Sequence, residues 1–180
     1  MKHAVLAAAA ALVLVFAPAA NGKGGAERGE TLAPAETAAE SQIDYAGFRR
    51  LTETIEDYRD RRIVSLAQFQ AMAGEPATII LDARSALSFQ AGHIEGAVNL
   101  PFSDFTSESL ARVIGASNTR VLIYCNNNFS NDTAPVILKS RPLALNIPTF
   151  INLHGYGYEN IYELGDVVDF NDPAVGWVSG

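Results

Sequence analysis

Cys125 is the only cysteine in a chain of 180 residues. It stands between the apolar run Val121-Leu122-Ile123-Tyr124 and three consecutive asparagines, Asn126, Asn127 and Asn128. One thiol cannot form an internal disulfide, so it serves either as a small apolar residue closing a core strand or as a nucleophile. A strand–loop–helix junction favours the second use. Loop N–H groups turned inward and the positive end of a following helix stabilise a thiolate, lowering its pKa from about 8.5. Asp82 and Arg84 follow another apolar run, and a polar pair at the carboxyl end of a buried parallel strand lies where open α/β sheets place ligands. His93 has no second nucleophile near it in sequence, which argues against a cysteine–histidine protease dyad.

The elements that must position these groups follow from periodicity. Short runs of β-branched and aliphatic residues over 78–81 and 121–124 read as strands buried on both faces. A short strand over 97–100 is closed by Pro101, and 161–164 reads as a last strand before Gly165. Phe48, Leu51, Ile55 and Tyr58 recur at spacings of three and four, which predicts a helix with one apolar face. Ser65 is placed as an N-cap with Gln68 three residues on, and Val64 can staple against Phe69, so a short helix starts there and stops near Gly74. Helices are expected over 107–114, ended by Gly115, and over 133–140, where Pro135 falls in the tolerated first turn. Pro142 and Pro148 break that element, with one or two further turns of helix over 149–153. The stretch 140–149 is an ordinary surface loop or, through Leu143, Leu145 and Ile147, a lip over the pocket. Strands alternating with helices imply a parallel sheet covered on both sides.

The stretch Leu81-Asp82-Ala83-Arg84 through Gly92-His93-Ile94-Glu95-Gly96-Ala97-Val98-Asn99-Leu100-Pro101 resembles the rhodanese family, with its strand ending in Asp-x-Arg and its Gly-His-Ile-x-Gly-Ala-x-Asn motif. Val121 to Cys125 is similar to the strand that carries that family's catalytic cysteine, and Gly157-Tyr158-Glu159-Asn160-Ile161-Tyr162-Glu163-Leu164 is similar to its late segment. The resemblance implies an α/β, rhodanese-like three-layer fold with a central parallel sheet and helices on both faces. It implies a sulfurtransferase in which Cys125 attacks the sulfane sulfur of a small donor, holds it as a persulfide and passes it to a thiol or cyanide acceptor. Asn126, Asn127, Asn128, Phe129 and Ser130 would then bind substrate, their amides cradling the persulfide as an oxyanion hole does. Asp82, Arg84 and His93 would support the site by tying loops together. A non-catalytic binding module on the same fold and a thiol sensor of oxidants are the rival readings.

The loop departs from the family. Glycine is usual at the third position after the cysteine and arginine or threonine at the fifth, where this chain has Asn128 and Ser130. Asparagine tolerates a left-handed backbone and can replace glycine on that ground. Ser130 brings no charge, so the positive end of the pocket is expected to be missing and thiosulfate to be a poor donor. The sixth position is Asn131, which argues against the Cys-x5-Arg loop of rhodanese-fold phosphatases. Asn128-Phe129-Ser130 and Asn131-Asp132-Thr133 also fit the glycosylation acceptor pattern.

Charge and the amino terminus bound the remaining possibilities. The formal charge is -7, with no basic stripe, so nucleic acid is not expected as a partner. Met1-Lys2-His3 is a short basic start, the 13 residues over 4–16 are all apolar, and Ala17-Pro18-Ala19 suits a signal peptidase. That run falls short of the roughly 20 residues a spanning helix needs. The chain therefore reads as a signal peptide over 1–19, a flexible linker over 20–42, an N-terminal helix over 43–62 and a rhodanese-like domain over 63–180. The mature form is expected to be periplasmic or secreted, off the membrane after cleavage. The sequence names no protein partner. It holds no metal-ligand cluster or nucleotide-binding loop, so no cofactor is expected.

Overall fold

A computed structural model describes residues 41–179; the expected signal peptide over 1–19 and all but the end of the expected linker over 20–42 lie outside the described residues. The elements run α1 (Tyr45–Asp60), β1 (Ile63–Val64), α2 (Leu66–Ala73), β2 (Thr78–Asp82), α3 (Ala86–Ala91), β3 (His93–Ile94), β4 (Ala97–Asn99), α4 (Ser107–Ile114), β5 (Arg120–Tyr124), α5 (Asn146–Gly155), β6 (Ile161–Leu164) and β7 (Trp177–Val178). Local chemistry sets several boundaries. Asp44 accepts from the Gly47 amide at the start of α1. Ser65 and Gln68 form a reciprocal capping box on α2, and Thr106 and Ser109 form another on α4. Each such cap contributes about 1 kcal/mol.

Five strands form one parallel sheet in the order β1-β6-β5-β2-β4. Alternate residues of β5 leave the central strand toward opposite faces. Val121 and Ile123 join Ile55 of α1, Leu110 and Ile114 of α4, and Phe150 and Leu153 of α5 in one buried cluster. Leu122 and Tyr124 join Phe69 of α2, Ile94, Phe129 and Val175 in the other. The result is the expected three-layer α/β arrangement, with a core on each side of the sheet. Burying each of these large apolar side chains contributes about 1.5–3 kcal/mol. Among the described residues no helix is long and apolar enough to cross a membrane.

Two segments differ from the sequence expectation. No helix forms over 133–140. Its backbone groups bond instead to side chains: the Leu138 amide donates to Asp132 Oδ1 at 3.0 Å, Ile137 O accepts from Asn126 Nδ2 at 2.8 Å, and Lys139 exchanges two bonds with the Asn127 amide group. Side-chain amides that pair with the backbone in this way compete directly with helical hydrogen bonding. Conversely, Pro148 does not break a helix. α5 begins at Asn146, so the proline falls in its first turn, where the missing N–H has no helical acceptor in any case. The end of the chain is also held by strand pairing, since Trp177 and Val178 of β7 lie antiparallel to Ile94 and His93 of β3.

Candidate active site

Because β5 is central and parallel, its carboxyl end opens between neighbouring loops, and Cys125 is the first residue beyond it. Parallel register sets Asp82 level with Tyr124 on one side and with Asn99 on the other. Asp82 and Arg84 are both buried, at 0% and 3% exposure. They pair through Arg84 Nη2 and Asp82 Oδ2 at 2.6 Å, with Nε adding bonds to both carboxylate oxygens. Tyr124 donates its hydroxyl to Asp82 Oδ2 at 2.5 Å and accepts from the Ile94 amide. Arg84 also donates to Gly92 O at 2.7 Å and reaches Asn126 Oδ1 at 3.4 Å. This network ties the ends of β2 and β5 to β3 and to the cysteine loop. Burial works against the Arg84 charge, but the hydrogen bonds and charge of Asp82 outweigh it and raise its pKa. Burial beside Asp82 likewise pushes the Tyr124 phenol far up, so it stays protonated as a donor. His93 stacks on Phe89 at 3.8 Å between ring centroids and bonds through Nδ1 to Phe89 O, anchoring α3 to β3.

The loop after Cys125 is a single 3₁₀ turn over Asn126–Asn128, held by its side chains. Asn128 is buried, and its backbone is not left-handed, as it is absent from the positive-φ residues; its contribution is the amide group. Asn128 Oδ1 accepts from the Cys125 amide at 2.9 Å and from Asn146 Nδ2 at 3.0 Å. Its Nδ2 donates to Leu164 O at 2.6 Å. With both ends of the group bonded and buried, Asn128 is closed to glycosylation in the folded protein. The Phe129 ring is 1% exposed and packs edge-on against Tyr124 and Trp177 in the core. The amides of Asn128, Phe129 and Ser130 donate to the carbonyls of Cys125, Asn126 and Val168. Those of Phe129 and Ser130 are therefore occupied by the fold, whereas the Asn128 N–H also faces the Cys125 side chain; of the loop only Asn127 and Asn128 line the pocket at Cys125.

Donors aimed at the sulfur also come from elsewhere in the fold. Cys125 is 1% exposed, and burial pushes its thiol pKa up, with the nearby Glu163 charge adding to that direction. The backbone N–H groups of Asn146, Asn127 and Leu145 act the other way. Leu145 and Asn146 form the start of the ten-residue α5, so a helix N-terminus does face the thiol. It belongs to α5 rather than to the segment directly after Cys125, because 133–140 is not helical. The net direction is upward, opposite to the lowered pKa expected from sequence.

The pocket has a volume of about 220 Å³. Its wall includes Arg141, Ala144, Asn146 and Ile147 of the segment read from sequence as loop or lip. It also includes Arg59, from α1, and Glu163, from β6. The sequence expectation of a pocket without a cation is therefore corrected. Ser130 indeed brings no charge, but two guanidinium groups arrive from distant elements. Arg59 donates to Glu163 through Nε at 2.7 Å and Nη2 at 2.8 Å. Asn146 Nδ2 donates to the same carboxylate at 3.2 Å. Sequence reading overlooked Arg59, Glu163 and Asn146; the only local trace was an arginine and a glutamate in positions that pattern alone assigns to solvent. Among the described residues no cluster of three or more His, Cys, Asp or Glu could hold a metal ion.

A family model described as Rhodanese-like domain matches residues 65–166, more than half of the chain. A curated relative, "Adenylyltransferase and sulfurtransferase uba4" of Sclerotinia sclerotiorum, is 24% identical over 116 residues, or 61% of this chain. This chain spans 25% of that relative's length. Among solved structures, a rhodanese with anions from E. coli is 23% identical, with a TM-score of 0.39, covering 57% of this chain and 99% of its own. A thiosulfate sulfurtransferase from Pseudomonas aeruginosa is 19% identical, with a TM-score of 0.43, covering 67% of this chain and 20% of its own. With the matched segment enclosing β2, β5, β6 and the cysteine loop, the chain belongs to the rhodanese-like domain family.

Proposed function

We propose that this protein is a sulfurtransferase that carries sulfane sulfur on Cys125. The observation that carries the reading is the convergence of the Asn127, Leu145 and Asn146 amides on a sulfur that lines a small pocket. Such donors hold negative charge better than they hold a neutral thiol. In the first half-reaction the Cys125 thiolate attacks the donor's outer sulfur. The donor's bond to that sulfur breaks, its electron pair leaves with the remainder of the donor, and Cys125 becomes a persulfide. In the second, a thiol or cyanide attacks the terminal sulfur, the sulfur–sulfur bond breaks, and the thiolate of Cys125 returns. The amides face the charge at every stage. The pocket volume, about 220 Å³, suits the end of a donor.

The burial of the thiol favours a second reading, a binding module in which Cys125 no longer turns over. Intact-mass measurement after incubation with polysulfide, thiosulfate and glutathione persulfide separates the two. A reversible gain of one sulfur on the wild type, absent in Cys125→Ser, is expected for the enzyme; no gain with any donor refutes it. The basic start, apolar run and Ala17-Pro18-Ala19 support export to a periplasm or to the outside. Recovery of a mature protein that still begins at Met1 would refute export by cleavage.

A further inference from the structure

Glu163 is an unusual neighbour for a thiol that must become an anion. The residue is 6% exposed, it lies in the wall of the Cys125 pocket, and its field opposes thiolate formation. A carboxylate so placed requires compensation, and Arg59 supplies it with two bonds in a planar fork at 2.7 and 2.8 Å. The same pairing uses the face of the guanidinium that would otherwise receive an anion. Asn146 couples this pair to the sulfur. Its backbone amide is directed at Cys125, its Nδ2 donates to Glu163, and its Oδ1 is buried with no partner. The other charged groups near the pair contribute little: Arg141 at the pocket is exposed, and Asp60, 3.8 Å from Arg59 Nη1, is 64% exposed. Water screens both.

The pocket wall thus presents the Glu163 carboxylate, while the guanidinium of Arg59, half-buried at 33% side-chain exposure, is already occupied by it. Such a wall repels the sulfonate oxygens of thiosulfate and suits a ligand that brings hydrogen-bond donors. We propose that Glu163 is a specificity-determining residue: by masking Arg59 it closes the pocket to dianionic sulfur donors and reserves Cys125 for uncharged organic hydropersulfides. This rests on the sulfur-transfer reading for the identity of the donor, but not for the charge selection itself. With a hydropersulfide, the Cys125 thiolate takes the terminal S–H sulfur. The sulfur–sulfur bond of the donor breaks, the S–H proton stays on the transferred sulfur, and the organic group leaves as a thiolate with the electron pair. Charge balances, with one negative sulfur before and one after. With thiosulfate the leaving group is sulfite, and two further negative charges must enter beside Glu163.

The test compares alkylation of Cys125 by iodoacetate, an anion, and iodoacetamide, its neutral counterpart, at one pH. Thiol ionisation cancels in the ratio of the two rates, which therefore reads pocket charge. Glu163→Gln, which frees Arg59, is expected to raise the iodoacetate-to-iodoacetamide ratio by about 10-fold. Arg59→Gln is expected to lower it, and the double variant to return near wild type. Thermal melts establish that each variant is folded. A merely structural role for the pair would change stability in all three without moving the ratio in opposite directions, and an unmoved ratio overturns the proposal. Should the thiol resist both reagents, calorimetric titration with thiosulfate decides. Binding is expected to Cys125→Ser/Glu163→Gln but not to Cys125→Ser, and equal behaviour overturns the proposal. If the ratio shifts while no variant gains sulfur from any donor, the sulfur-transfer reading fails and the charge selection stands. If sulfur is transferred, Glu163→Gln is expected to raise kcat/KM for thiosulfate relative to a simple alkyl hydropersulfide with no other charged group by about 10-fold; an unchanged relative efficiency would overturn the donor assignment.

Discussion

Replacing Asn128 by glycine, the residue usual at this position in the family, separates a conformational role from a side-chain role. If asparagine were there for its backbone, glycine would be neutral or better. The structure argues otherwise, because the amide group satisfies the Cys125 N–H at 2.9 Å and Leu164 O at 2.6 Å. Both lie in buried surroundings, and each group left without a partner costs about 1–3 kcal/mol. Asn146 Nδ2 loses one acceptor but keeps Glu163, so it adds little. Water from the adjoining pocket can relieve part of the loss, which places the expected destabilisation at about 2–4 kcal/mol for both Asn128→Gly and Asn128→Ala. At about 3 °C per kcal/mol for a domain of this size, the melting temperature should fall by about 6–12 °C. Equilibrium unfolding in guanidinium chloride measures the free energy directly. A glycine variant as stable as wild type, or an alanine variant that loses less than about 1 kcal/mol, would refute the side-chain account.

Three further outcomes follow from the same geometry. Arg84→Met strands the Asp82 carboxylate at 0% exposure and should cost about 3–5 kcal/mol in equilibrium unfolding, with Arg84→Met/Asp82→Asn recovering part of the loss; a cost under about 1 kcal/mol would contradict a buried pair. Tyr124→Phe removes a charge-assisted bond of 2.5 Å and should cost about 1.5–3 kcal/mol, and the wild-type phenol should show no ionisation in alkaline difference spectra where free tyrosine titrates. Burial raises the Cys125 pKa, so its reaction with iodoacetamide should rise through a midpoint above that of a free thiol; a lower midpoint is the contrary result. The linkage has a definite sign. The unfolded chain releases this proton first as pH rises, so stability falls above the ordinary thiol value, and Cys125→Ser should lack that part of the fall.

The elements written in local chemistry were legible in the sequence. Ser65 and Gln68 declare the start of α2, Gly115 ends α4, and the aliphatic runs that became β2 and β5 are continuous because both faces of a central strand are buried. Asp82, Arg84 and Cys125 could be placed at strand ends for the same reason, and their motif carried the family. The helix expected over 133–140 fails for a reason that local pattern does not contain. Asn126, Asn127 and Asp132 capture its backbone groups, and only the fold brings the asparagines alongside.

What the tertiary structure alone decided is the electrostatic character of the thiol. The sequence located Cys125 and its strand, since hydrophobic period and turn residues act over a few positions. It could not say that the helix N-terminus facing the sulfur belongs to α5. Nor could it say that Arg59 and Glu163, 104 residues apart, meet in the same pocket wall. Charge acts through space and through the local dielectric, and both are properties of the packed fold. The order of residues along the chain carries neither.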